Sequence, residues 1–249
     1  MNLSGKVALV TGGTNGIGAA TALALARAGS AVAINGRHSD ADALETLAQL
    51  QRMGGRVELI LGDCARPGDC AAMVAETVSK LGRLDVLIHS AGGPANGGLF
   101  DITPENWHTA FDTHLHAVFH LTRAALPHMR PHREGAVILV SSTAGIRGIV
   151  TNVAYQVVKG ALPQFARALA REFADDNIRV NCVAPGVIRT AFHKSMSEEQ
   201  RRLNLEKRIP LHREGTPENV ASVILELVTN DYVTGETFTI DGGLTMRIA

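Results

Sequence analysis

The chain has 249 residues, 45% hydrophobic and 19% charged, with no Pro/Gly/Ser-rich linker or charge run to divide it, so one domain over residues 1–249 with a sizeable core is expected. Lys plus Arg balances Asp plus Glu at 24 each, which offers no basic face to nucleic acid or to an anionic membrane. No charged leader precedes an apolar stretch, no apolar run reaches bilayer-spanning length, and Cys64, Cys70 and Cys182 lack metal-ligand spacing; a cytoplasmic protein with reduced thiols and no metal is expected.

The elements alternate. Val7–Val10 is an apolar run that stops at Thr11-Gly12-Gly13-Thr14-Asn15-Gly16-Ile17-Gly18, and the Ala/Leu-rich segment from Ala19 to Ala28 follows. That pattern is a buried strand, a glycine turn and a helix. Glycine lets the backbone turn tightly and approach a bound group, and the free N–H groups opening the helix favour a phosphate, as in a dinucleotide. A tight turn without ligand is the alternative reading, since the spacing is G-x-x-x-G-x-G rather than G-x-G-x-x-G. Strands are predicted at Ala31–Asn35, Val57–Leu61, Leu84–His89, Ala136–Ser141, Ile178–Val183 and Thr237–Ile240. Helices are predicted at Asp40–Met53, Gly68–Leu81, Pro104–Met129, Asn152–Ala174 and Pro217–Val228. Strands apolar throughout, alternating with helices, predict an α/β fold: a Rossmann-like, doubly wound parallel sheet covered on both faces.

In such a sheet ligands bind beyond the carboxyl ends of the strands. Those ends carry the glycine turn, Gly36-Arg37-His38, Asp63-Cys64, Ser90–Gly93, Ser141-Ser142 and Pro185-Gly186. Tyr155 and Lys159, four apart in a predicted helix, share a face. An ammonium stabilises a phenolate, so Lys159 is expected to lower the Tyr155 pKa from about 10 and make it a proton donor or acceptor. Taken alone, such a pair is usually a solvated face.

Together these residues resemble the classical short-chain dehydrogenase/reductase family from Lys6 to Gly243. The resemblance rests on Thr11-Gly12 to Gly18, Ala91-Gly92, Ser142 ahead of Tyr155-Gln-Val-Val-Lys159, Asn181-Cys-Val-Ala-Pro185-Gly186-Val-Ile-Arg-Thr190 and Asp241-Gly242-Gly243. It implies an NAD(P)(H)-dependent oxidoreductase, a homotetramer, that moves a hydride between nicotinamide and a ketone or secondary alcohol. By that resemblance Tyr155 is the acid/base, Ser142 positions the substrate oxygen and Lys159 holds the nicotinamide ribose. Cofactor contacts fall on Gly12, Thr14, Asn15, Gly16, Ile17 and Gly18 in the turn and on Arg37, Asp63, Cys64, Ser90, Ala91 and Gly92 after the next strands. Tyr155 and Lys159, then Pro185, Gly186, Ile188 and Thr190, complete the set.

Four positions depart from the family pattern. His89-Ser90 replaces Asn-Asn, and His114 stands where an Asn completes a Ser-Tyr-Lys-Asn tetrad. Val158 precedes Lys159 where Ser or Ala is usual. Pro163 sits in the catalytic helix, where its missing N–H leaves the Lys159 carbonyl unbonded and predicts a kink. His114 reads either as a fourth catalytic residue, relaying protons with a rate inflection around pH 6 to 7, or as a structural histidine. His89 reads as structural. Gly36 holds the position where a carboxylate selects NAD, and Arg37 suits a 2′-phosphate. Asn15, often Lys or Arg in NADP-preferring members, argues the other way. NADP(H) is the expected cofactor and NAD(H) the alternative.

Substrate walls are expected at Gly93–Leu99, Ala144–Ile149 and Gly186–Leu211, the last a mobile lid with Met196, Leu203 and Leu205. Arg147, Arg189 and His193 are candidates for a polar or anionic substrate, or solvated rim residues. The expected activity is a carbonyl reductase or alcohol dehydrogenase. A 3-oxoacyl-thioester reductase is suggested by Ile209-Pro-Leu-His-Arg213-Glu-Gly-Thr-Pro217, and a low-turnover cofactor-binding scaffold by the altered tetrad. No nucleic-acid or membrane partner is expected.

Overall fold

The strands are β1 (Val7–Thr11), β2 (Ala31–Gly36), β3 (Val57–Leu61), β4 (Val86–His89), β5 (Gly135–Val140), β6 (Ile178–Pro185) and β7 (Thr237–Ile240). The computed structural model describes residues 1–190 and 196–246, and in it these strands pair in parallel in the order β3-β2-β1-β4-β5-β6-β7. Successive side chains along each strand go to opposite faces. Val7 and Leu9 enter one core with Leu87, Val137 and Leu139, while Ala8 and Val10 enter the other with Val86, Ile88 and Ile138. Because both faces are covered, every residue of β1, β4, β5 and β6 is buried, which is why β1 and β5 read as nearly continuous apolar runs, while β6 also buries Arg179 and Asn181.

The helices are α1 (Gly16–Arg27), α2 (Ala41–Arg52), α3 (Pro67–Leu81), α4 (Pro104–Phe111), α5 (Ala117–Met129), α6 (Val153–Glu172), α7 (Glu198–Leu203) and α8 (Pro217–Thr229). Leu25 of α1, Leu50 of α2 and Ile224 of α8 cover one face; Met73 of α3, Leu121 of α5 and Leu162 of α6 cover the other. β4 begins at Val86 rather than at the predicted Leu84; Asp85, just before it, is buried, with its carboxylate accepting from the Val7 amide and the Arg83 guanidinium.

The predicted long helix from Pro104 to Met129 divides into α4 and α5 around a π turn at Asp112–His116, which draws in an extra residue per turn and commonly marks a functional position. α6 is continuous through Pro163. The Lys159 carbonyl that Pro163 cannot serve instead accepts from the Ser141 hydroxyl at 2.6 Å, so the orphaned acceptor is satisfied by the residue that follows β5. α7 lies within the segment read only as a lid; Ser197 caps it by accepting from the Gln200 amide, a signal present in the sequence.

Candidate active site

Strand order reverses between β1 and β4, and the crevice of a doubly wound sheet lies at that point. The two exits are pressed together: a Cβ on Gly12 would sit 2.7 Å from the Ala91 Cα. A Cβ on Gly18 would sit 2.0 Å from the Gly12 carbonyl oxygen, so the turn packs only as glycine. Asn15 introduces α1 in an extended conformation, without a side-chain cap bond and without an acidic residue in the first turn. Its amide points instead to Asp42 at 3.4 Å. The first N–H groups of α1 therefore have no side-chain acceptor among the described residues, a cradle that fits a pyrophosphate.

A cleft of about 580 Å³ runs from this turn along the strand ends. Of the residues named from the sequence, Gly12, Thr14, Asn15, Arg37, Asp63, Cys64, Ala91 and Gly92 line it. Asn106, Thr109 and Thr113 from α4 and the π turn line it too, and were not foreseen. Gly16, Ile17, Gly18 and Ser90 support the turn and the β4 exit behind it; the Ser90 amide donates to the Thr11 carbonyl. Asn35 is buried and its amide donates to the carbonyls of Gly36, Ile60 and Gly62, which fixes the β2 and β3 exits.

At the far end, Arg37 is exposed and unpaired among the described residues, while Asp40 caps α2 through the Ala43 amide. A Cβ at Gly36 would lie 2.7 Å from the Thr14 methyl, so any side chain at this position would have to displace Thr14. Asp63 lines the cleft but also accepts from the Ala65 amide. Cys64 is buried, and desolvation holds its thiol up at about 12, with Cys70 at about 11; neither is poised as a nucleophile.

Ser142, Tyr155 and Lys159 converge beyond the inner end of this cleft. Ser142 leaves β5 with its hydroxyl accepting from the Ala144 amide, and it also hydrogen-bonds Tyr155. The Lys159 ammonium, buried, donates to the Val140 carbonyl at 2.7 Å and lies 5.7 Å from the Tyr155 ring centre. Gly145 makes room, since a Cβ there would meet the Lys159 backbone at 2.6 Å. The expected pKa order is corrected here. Burial pushes the Tyr155 phenol up, with the Ser142 bond pulling against it, and burial pushes Lys159 down to about 8. Desolvation outweighs the attraction anticipated from spacing alone.

His114 joins cleft and triad. It lines the cleft, its Nε2 contacts the Gly93 carbonyl at 3.0 Å, and its ring stands perpendicular to that of Tyr155 at 5.6 Å between centres. Burial, then Lys159 and His89, push it down to about 2. It is neutral across the working range, so the inflection around pH 6 to 7 expected of an ordinary imidazole has no source in this ring. His89 is buried with Nδ1 3.0 Å from the Thr11 hydroxyl, and burial holds it at about 3. No metal-binding group of His, Cys, Asp or Glu occurs among the described residues.

Past β6, the Gly186 amide donates to the Ile240 carbonyl, Pro185 pairs with Ile240, and Ile188 is buried. The Thr190 methyl lies 3.3 Å from where a Gly16 Cβ would be, so this loop closes over the glycine turn. Arg189 and Arg201 share the buried carboxylate of Glu214 at 3.4 and 2.9 Å, and Arg147 donates to the Thr245 carbonyl. Both candidate arginines thus have other partners. His193 lies outside the described residues.

A glycine-cradled crevice beside a Ser-Tyr-Lys cluster defines a dinucleotide-dependent oxidoreductase. A family model described as enoyl-(acyl carrier protein) reductase matches residues 12–245. A 3-oxoacyl-[acyl-carrier-protein] reductase of Thermotoga maritima is 37% identical over 98% of this chain and 99% of its own length. Among solved structures, a short-chain type dehydrogenase/reductase from Mycobacterium ulcerans superposes with a TM-score of 0.93 at 29% identity, covering 99% of this chain and 92% of that one. L-sorbose reductase from Gluconobacter frateurii, complexed with NADPH and L-sorbose, superposes with a TM-score of 0.92 at 30% identity over the whole of both chains. The chain belongs to the short-chain dehydrogenase/reductase family. It is a nicotinamide-dependent oxidoreductase acting on the CH–OH or carbonyl group of a small molecule.

Proposed function

We propose that the protein is an NADP(H)-dependent carbonyl reductase that converts a ketone to a secondary alcohol, with Tyr155 as the proton donor. The observation that carries this reading is the convergence of Tyr155, Ser142 and Lys159 just beyond a glycine-cradled cleft, joined to it by His114. When bound, the dihydronicotinamide supplies the hydride. The turn from Gly12 to Gly18 and the α1 N-terminus hold its pyrophosphate, Asp63 and Ala91 flank the adenosine, and Ile188 and Thr190 meet the nicotinamide end.

In the reductive direction the substrate oxygen accepts hydrogen bonds from Ser142 and Tyr155. Burial keeps the Tyr155 phenol protonated at rest, which suits a donor, and the phenolate left behind faces the Lys159 ammonium. That ammonium is charged below its pKa of about 8 and neutral above it, so the reductive kcat should decline as pH rises past about 8. A profile flat to about pH 10 contradicts the role given to Lys159.

NADP(H) over NAD(H) is supported by Gly36, which offers no carboxylate and is crowded by Thr14, and by Arg37 on the cleft rim, unpaired among the described residues. Arg37→Ala should weaken NADPH by about 1.5–3 kcal/mol and leave NADH nearly unchanged, as read by titration of both cofactors. Equal losses overturn the assignment. A second substrate reading, a 3-oxoacyl thioester, is favoured by the Thermotoga relative. An NADPH-consumption screen over ketones, sugars, 3-oxoacyl and 2-enoyl thioesters separates the classes. We further propose one catalytic domain with a substrate lid over 186–211, a homotetramer and a cytoplasmic location; no helix among the described residues is long and apolar enough to cross a membrane.

A further inference from the structure

His114 is held from one side by the π turn and from the other by the loop that leaves β4. Its Nε2 lies 3.0 Å from the Gly93 carbonyl and 3.4 Å from the Gly93 amide; the shorter contact puts the proton on Nε2, so Nδ1 carries the lone pair. Nδ1 is buried and has no hydrogen-bond partner among the described residues. The reason is steric. The ring is wedged against Gly92, where a Cβ would fall 2.2 Å from Cε1 and 2.6 Å from Nδ1, leaving no room for a water on that edge. Nδ1 meets neither solvent nor a hydrogen-bonding partner among the described residues, so a proton has no route through the ring from one nitrogen to the other. What the ring does have is a perpendicular face-to-edge contact with Tyr155.

The same loop is gripped from beneath. Thr11 accepts from the Ala91 amide at 3.4 Å and contacts His89 Nδ1 at 3.0 Å. Thus β1, the β4 exit, the π turn and Tyr155 form one connected series, and two of its members, Gly92 and Gly93, are walls of the nucleotide cleft. The ionisable groups acting on His114 are Lys159 and His89, and both disfavour its protonated form.

We propose that His114 is a positioning residue: its ring couples the Gly92–Gly93 wall of the cofactor cleft to the orientation of Tyr155, and it relays no proton. This rests on Tyr155 being the acid/base. The ring limits the swing of the Tyr155 phenol, while its Nε2–H keeps the wall at the height the cofactor requires. Each link belongs to a different atom of the side chain, so the two can be cut separately.

The test uses the full-length enzyme, with kcat, substrate KM, NADPH Kd, melting temperature and pH–rate profile measured for His114→Phe and His114→Asn. His114→Phe keeps a ring against Tyr155 and loses the bond to Gly93; NADPH binding should weaken several-fold, and kcat should fall less than in His114→Asn. His114→Asn loses the ring; kcat should fall about three- to tenfold with substrate KM little changed and the shape of the pH profile retained. Gly92→Ala attacks the same contact from the other side, and its loss of kcat should be partly relieved when combined with His114→Asn, a non-additive pair. The inference is overturned by wild-type kcat in His114→Asn, or by lower melting temperatures with kcat and Kd unchanged. It is equally overturned by a wild-type inflection near pH 6.5 that His114→Phe erases. If Tyr155→Phe retains wild-type turnover, the reading of the site has failed instead.

Discussion

Tyr155→Phe is expected to lower kcat by at least ~10²-fold, the loss typical when a general acid is removed, while NADPH affinity changes little. The phenol is the group in contact with Ser142 and beside Lys159, and removing one oxygen leaves the ring to pack against His114 as before. The fold should therefore survive and the loss should appear in the chemical step. Single-turnover hydride transfer, monitored by nicotinamide absorbance, separates this from slow product release. Turnover within a few-fold of wild type would move the proton donor elsewhere.

The second large effect is on stability in acid. His89 and His114 are held neutral in the native protein, at about 3 and about 2, whereas an unfolded imidazole titrates near 6.5. Between those values the unfolded chain binds more protons than the native one, so stability is fully present above about pH 6.5 and drains away as pH falls. At pH 5 each histidine accounts for about 2 kcal/mol, and the pair for about 4 kcal/mol, a large share of the stability of an ordinary domain. Denaturant unfolding at pH 7 and 5 should show this loss in wild type. A His89→Asn/His114→Asn variant should lose less over the same interval, because its remaining acid sensitivity comes from other groups. Identical losses in the two proteins would mean that the imidazoles take up protons in the folded state.

The parts of the fold legible in the sequence were those dictated by neighbours along the chain. Burial on both faces makes β1 and β5 unbroken apolar runs, and the crowding at Gly12 and Gly18 forces glycine at spacings that can be read directly. The partition of Pro104–Met129 was not legible, because a π turn changes neither composition nor apolar period enough to announce itself. The fate of the Lys159 carbonyl also depends on a partner, Ser141, that is distant in sequence and follows β5. Within the site, residue identities came from motif and spacing, but protonation did not. Whether Tyr155 is pulled down by Lys159 or pushed up by burial is decided by how much water the fold removes. His114 follows the same rule: its identity suggested a titrating group, and the wedge formed by Gly92, Gly93 and Tyr155 makes it a neutral one. Arg147 and Arg189 looked available for substrate only until Thr245 and Glu214 took them up.

The most direct measurement is steady-state NADPH consumption by the wild-type protein over the panel of ketones, sugars and acyl thioesters, with the alcohol product identified. Consumption that depends on the carbonyl compound, yields one equivalent of alcohol per NADPH and disappears in Tyr155→Phe is the expected result. Carbonyl-independent consumption, or activity on the panel that Tyr155→Phe leaves intact, would contradict it.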